Sequence, residues 1–176
     1  MPAFTKRQLD RFLRKPLIAR IATLLNDGMP TITPVWFEWN PKSRTFLLWA
    51  RKGYGGLNST WYDNLTRDPR IALLIDESSE TPPKHDRVLA IGKARIPSAP
   101  KNSYRWQIRM SKRYLGSNKV RRYLATMPKA SGGWVIMLPE RIVTWTEGKG
   151  TNIWHSRYLK PGGRALFEQN PQATCW

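Results

Sequence analysis

Between Leu17 and Ala50 three β-prone runs, "LIARIATLL", "TITPVWFEW" and "TFLLWA", are separated only by the turn signals "NDGMP" and "NPKSR". Asp27-Gly28 is the stronger signal, because glycine takes the positive φ that a tight hairpin needs. Runs joined this closely meander in antiparallel order. Pro34, inside the second run, has no N–H to give to a ladder, so an edge or a bulge is expected there.

The flanking segments extend the pattern. Thr5 is placed to cap a first helix, with Gln8 three residues on completing a capping box and Phe4 stapling onto Leu9; Leu9, Phe12 and Leu13 share one face, and Lys15-Pro16 ends the helix. "STWYDNLTRDPR" reads as a short helix capped by Ser59 or Thr60 and finished before Pro69. "IALLID" and "RVLAIGKARI" are strands. Between them the polar "ESSETPPKHD" is expected to be a mobile loop. Gly92 interrupts the second of these strands and marks a bulge or the close approach of another backbone. From Asn102 to Met127 the residues Tyr104, Ile108, Leu115, Tyr123 and Leu124 alternate with cations, and Gly116-Ser117 divides the run into two helices. "GWVIMLP" and "RIVTWT" are two further strands, followed by a glycine-rich tail without periodicity. The order is helix, three strands, helix, two strands, helical excursion, two strands, tail. Mostly antiparallel β with a few helices suggests a barrel, since closure removes exposed edges.

A chain of 176 residues suits one domain, here residues 1–148, with 149–176 as a tail that packs on the barrel or on a partner. Its 30 Lys+Arg against 12 Asp+Glu give a net charge of +18, which points to an anionic ligand or partner. The single cysteine, Cys175, excludes an intrachain disulfide, and neither a leader peptide nor a membrane-length apolar run is seen, so a cytoplasmic protein is expected. His85 and His155 are the only histidines and neither has ligand spacing to a second metal-binding residue, so no metal site is expected. Asp86 beside His85 could orient an imidazole, but a histidine in so polar a segment reads as solvated. GxSxG, P-loop and GxGxxG signatures are absent, which leaves chemistry to a borrowed cofactor. The loop "ARKGYGGLNST" suits a phosphate: Arg51 and Lys52 supply charge, the glycines allow close backbone approach, and Ser59-Thr60 stands at a helix N-terminus. A solvated turn followed by an ordinary cap is the plainer reading of the same residues.

Taken in order, "IARIATLLNDGMPTITPVWFEW", "TFLLWA", "NLTRDPRIALLID", "VLAIGKARI" and "LPERIVTW" resemble the pyridoxamine 5'-phosphate oxidase-like, FMN-binding split β-barrel family of flavin and deazaflavin oxidoreductases, over most of Leu17 to Trp145. The resemblance implies a mainly β, antiparallel split barrel that is homodimeric, with FMN in a groove between the subunits. It places Thr33, Pro34, Val35 and Trp36 along one edge of the flavin, Trp49 and Ala50 beneath it, and Arg87 and Trp145 near the ring. Ser59 and Thr60 fall where the family holds the FMN phosphate, but the lysine that usually follows is Trp61 here and the preceding loop is longer. Arg51 and Lys52 are then the candidates for the missing charge. The implied activity is hydride or electron transfer to or from a small molecule, with no residue standing out as a general base. A coenzyme F-420-dependent reductase on the same fold is the nearest alternative, favoured by the charge. A nucleic-acid-binding protein, suggested by "KNSYRWQIRMSKRYLGSNKVRRYL", and a cofactor-free binding protein are the alternatives of another class. Lys93 reads as a surface lysine.

Overall fold

A computed structural model of the chain describes residues 4–51, 60–80, 83–98, 103–126, 132–146 and 150–155. In chain order these form α1 (Lys6–Phe12), β1 (Ala19–Leu24), β2 (Pro30–Val35), β3 (Phe37–Asn40), β4 (Thr45–Arg51), α2 (Thr60–Arg67), β5 (Arg70–Glu80), β6 (Pro83–Arg95), α3 (Ser103–Leu115), α4 (Ser117–Ala125), β7 (Gly132–Thr146) and β8 (Gly150–His155). All strand pairs are antiparallel.

The strand order β2-β1-β5-β6-β7-β4-β3 explains the curvature, with β8 added beside β7. β2 and β3 stand at opposite ends of that path, yet only Trp36 separates them in sequence. Two edges joined by one residue force the sheet to curl until they almost meet, without a ladder between them. The result is an antiparallel half-barrel, split where the chain bends at Trp36.

Alternation fills the barrel. Ile21, Phe37, Phe46, Leu48, Leu73, Ile75, Val88, Met137 and Ile142 are buried, and α1 closes one end with Leu9, Phe12 and Leu13. The expected capping box is present: Thr5 Oγ1 accepts from the Gln8 amide at 3.3 Å and Gln8 Oε1 from the Thr5 amide at 2.8 Å. Phe4 is buried with its ring 5.3 Å from that of Phe12. Gly28 has φ +84° in the β1–β2 turn, and Pro34 lies on the edge strand that its missing N–H allows.

Four expectations change. The run "TITPVWFEW" is not one strand of a three-strand meander but two, β2 and β3, because the bend at Trp36 sends its halves to opposite ends of the sheet path. The polar "ESSETPPKHD" is not a loop: β5 runs to Glu80 and β6 starts at Pro83, with Asp76 to Glu80 paired to Arg87 to Pro83. The two strands continue as a ladder past the barrel wall, where neither face needs apolar residues. "GWVIMLP" and "RIVTWT" are one strand, β7: Pro139 pairs with Gly92, Arg141 with Ile91, and Glu140 between them is the extra residue of a bulge that the strand runs through. The glycine-rich stretch after it contributes β8, whose register Arg141↔His155 to Thr146↔Gly150 extends the sheet. Residues 156–176 of the expected tail lie outside the described residues.

Asp68, in the connection from α2 to β5, accepts from the Arg70 side chain at 2.5 and 3.0 Å and from the Arg70 amide at 3.0 Å. These bonds, those of the side chain foremost, hold its carboxyl down to about 2. A carboxyl depressed in the folded state contributes stability that is present above its unfolded value, about 3.9, and is lost as the pH falls through about 2. In Arg70→Ala, which removes the side-chain bonds but keeps the amide bond, the Asp68 carboxyl is expected to rise toward the ordinary aspartate value without reaching it, which a side-chain NMR titration reads directly.

Candidate functional site

Of the twelve positions singled out in the sequence, the ten among the described residues fall into three places. Thr33, Pro34 and Val35 lie on the edge strand β2, with Pro34 exposed and Val35 buried, and Trp36 follows at the bend. Trp49, Ala50 and Arg51 end β4, with Thr60 exposed at the start of α2. Ala50 is buried, so only its backbone is free to meet a ligand. Lys52, Ser59 and the Arg51 side chain lie outside what is described. Arg87 and Trp145 are direct cross-strand partners on β6 and β7 and line one hollow of about 320 Å³ with Arg20, Leu74 and Asp76.

Cross-strand register shows how this hollow sits. Arg20 pairs with Pro34 on one side and with Leu74 on the other, Leu74 with Leu89, and Asp76 with Arg87. Direct partners share a face, so Pro34, Arg20, Leu74 and Leu89 form one row on the outside of the barrel, and Asp76, Arg87 and Trp145 form the next. Ile32, 70% exposed, lies on the same outer face as the partner of Ala22. Arg20 forms an ion pair with Asp76 at the rim. Three strand spacings, about 14 Å, separate β2 from β6, so one chain spreads these candidates over a face and does not gather them in one pocket. Sequence reasoning missed Arg20, Leu74 and Asp76. The only local signal was the alternation in "LIARIATLL" and "IALLID", which gives a face but not its neighbours.

Trp36 is held by the chain's own helices. Its ring stacks on Tyr114 at 4.8 Å and 4° and lies 5.5 Å from Tyr123. The Tyr114 hydroxyl accepts from the Phe37 amide at 3.0 Å and donates to the Leu17 carbonyl at 2.8 Å, pinning α3 to both sides of the split. Burial pushes that phenol up from its ordinary value, so it stays a donor. Beside it Arg113 donates to the carbonyls of Leu13 and Lys15 and lies 4.6 Å from the Phe37 ring. Tyr114→Phe is expected to keep the stack but leave the Phe37 amide and Leu17 carbonyl unpaired, lowering stability by about 1–3 kcal/mol. Urea unfolding measures it.

The remaining candidates take packing roles. Trp61, where a lysine is usual, is 4% exposed and meets Tyr62 edge-on at 6.4 Å, so it fills the interior under α2. Trp49 lies 6.3 Å from Trp134, and Trp106 of α3 covers Trp134 at 5.4 Å. Of the aromatic residues in the basic helical segment, Trp106, Tyr114 and Tyr123 thus contact other rings, and Tyr104 is exposed. Lys93 is a surface lysine 3.7 Å from Glu140. Asp86 accepts from the Thr146 hydroxyl at 2.5 Å; the His85 side chain lies outside the described ones.

Residues 5–145 match the family model described as pyridoxamine 5'-phosphate oxidase. The chain belongs to the pyridoxamine 5'-phosphate oxidase family. A search of curated proteins finds no match. Solved structures with the same fold include the conserved hypothetical protein Rv2991 from Mycobacterium tuberculosis, at TM-score 0.66 and 22% identity over 83% of this chain and 87% of that one. A heme-binding protein from Mycobacterium smegmatis gives 0.61 and 16%, over 89% of this chain and 60% of that one. An F420 reductase gives 0.54 and 20%, over 76% and 94%. The half-barrel is therefore the fold of an oxidase family whose structural neighbours hold different cofactors, and the cofactor has to be argued from this member's own residues. No helix among the described residues is long and apolar enough to cross a membrane.

Proposed function

We propose that this family member is a homodimeric flavin-dependent oxidoreductase that holds FMN between two subunits. The observation that carries the reading is the outer face just described: Pro34, Leu74 and Leu89 in one row with Arg20 between them, and Asp76, Arg87 and Trp145 in the next, with Arg20 paired to Asp76. Two copies packed on that face would bring Arg87 and Trp145 of one against β2 and the end of β4 of the other. That places the scattered candidates in one groove.

These residues fit a flavin. As an edge strand, β2 has backbone donors and acceptors on one side that no neighbouring strand among the described residues uses, matching the polar rim of an isoalloxazine. Trp145 offers an indole face and Arg87 a fixed positive charge, which favours electron density on the adjacent ring edge. Thr60, with Arg51 and Lys52, would meet the phosphate. When bound, FMN supplies two-electron transfer to or from a small molecule. The protein's part is to seat the ring, shield one side of it from water and set the charge around it.

Charge and the likeness to an F420 reductase favour coenzyme F-420, whose acidic tail the +18 balance suits, as the second reading. The visible absorbance of freshly purified protein, followed by titration with FMN and with F-420, separates the two. Saturable binding of FMN by a dimer is the expected result. Preference for F-420 selects the second reading, a heme Soret band replaces both, and no binding of any of these by the dimer overturns the proposal.

A further inference from the structure

On the other half of the sheet a cavity of about 550 Å³ opens beneath α3. It lies toward the Asn40–Thr45 turn, at the opposite end of β4 from Arg51, and Leu47 on its floor is four residues, about 13 Å, from that end. Its floor is a single cross-strand row: Glu38 pairs with Leu47, Leu47 with Ile136, and Ile136 with Arg95. A carboxylate thus stands at one end of the row, a guanidinium at the other, and two aliphatic side chains between them. Trp106 and Arg109 of α3 also line the cavity.

The polar groups of this row are incompletely used. Arg109 Nε meets Glu38 Oε1 at 2.5 Å, but Glu38 Oε2 is buried and has no hydrogen-bond partner among the described residues. A buried carboxylate oxygen without a donor is costly to leave so, and a ligand N–H or O–H removes the cost. Arg95, exposed at the far end, makes no ion pair among the described residues, and with Arg109 it leaves the cavity one positive charge in excess of Glu38. The three strand spacings between β3 and β6 amount to about 14 Å, which the two polar side chains shorten to the length of a single-ring molecule. Leu47 and Ile136 form an apolar floor, and Trp106 lines the same cavity.

We infer that this cavity is a second ligand site, separate from the flavin groove, for a planar aromatic acid bearing an amino or hydroxyl group opposite its acid group. The donor meets Glu38 Oε2, the ring lies on Leu47 and Ile136 beside Trp106, and the carboxylate meets Arg95. The volume suits one or two rings, within the range of small-molecule sites.

Calorimetric titration of the full chain with 4-aminobenzoate, benzoate and aniline tests the assignment. The expected result is saturable binding of 4-aminobenzoate, about tenfold tighter than benzoate, which lacks the donor, or aniline, which lacks the acid. Arg95→Met, a change at an exposed side chain, is expected to bring 4-aminobenzoate down to the affinity of aniline. Glu38→Leu is expected to bring it down to that of benzoate. Absence of saturable binding to the wild type up to about 10 mM, equal affinity for the three probes, or an Arg95→Met variant that binds 4-aminobenzoate like the wild type overturns the inference. Displacement of 4-aminobenzoate by FMN also overturns it, by placing the probe in the flavin groove.

Discussion

Gly92→Ala is expected to destabilise the protein by about 3 kcal/mol or more, at the upper end of what adding one methyl group to a packed interior costs. At Gly92 the β6–β7 register shifts, and the backbone of β7 passes directly over it. A Cβ there would lie 2.9 Å from Glu140 N and from Pro139 Cα, and closer still to the Leu138 carbonyl oxygen. All three neighbours are backbone atoms, so no side chain can swing aside. The ladder between the two longest strands would have to open at its bulge. In a protein of this size each kcal/mol is worth about 2–4 °C in melting temperature, so the variant is expected to melt roughly 6–12 °C lower. Gly28→Ala is the control: φ is +84° but nothing lies within 4 Å of the added carbon, so only the turn's conformational cost of about 1 kcal/mol is expected. Urea unfolding of the two variants side by side decides it. Equal losses would mean that β7 does not cross Gly92 as described.

If the chain pairs through this face as proposed, Ile32→Asp is expected to weaken the proposed dimer by about 100-fold or more and to take the proposed FMN binding with it. Ile32 is 70% exposed in the single chain, so an aspartate costs the fold little there. In a two-fold dimer packed on the outer face of the sheet the change appears twice. Each copy removes apolar area and desolvates a carboxylate without a partner. Light scattering after gel filtration reads the mass, and FMN titration the cofactor. Tyr104→Asp, equally exposed but on α3 away from that face, is expected to leave both unchanged. A dimeric Ile32→Asp that binds FMN like the wild type would put the partner on another surface.

Much of the fold was written in local chemistry. Thr5 and Gln8 close their capping box wherever the helix goes; Gly28 turns the first hairpin because few other residues accept its φ; Gly116, at φ +77°, divides α3 from α4. The errors came where local polarity and distant pairing disagree. "ESSETPPKHD" looks like a loop because it has no apolar face. It is strand because β5 and β6 hold each other in register for eleven pairs, from Arg70↔Lys93 to Glu80↔Pro83. Pro139 looks like the end of a strand, and only the bulge at Gly92 lets β7 run through it.

The candidate sites divide the same way. The resemblance nominated residues for a flavin, because cationic, aromatic and glycine-rich segments keep their chemistry at any stage of folding. Where they stand was not legible. The alternation of "LIARIATLL" put Arg20 on a face, but only the pairing of β1 with β5 set it against Asp76 beside Arg87. Glu38, Leu47, Ile136 and Arg95 are separated by up to 98 positions in the chain and carry no shared motif. The sequence by itself determined the apolar strand cores, the Thr5 cap, the first hairpin turn and an excess of positive charge. The tertiary structure alone decided which side chains form a row, because a cross-strand neighbour is chosen by the register of the whole sheet and not by any residue near it in the chain.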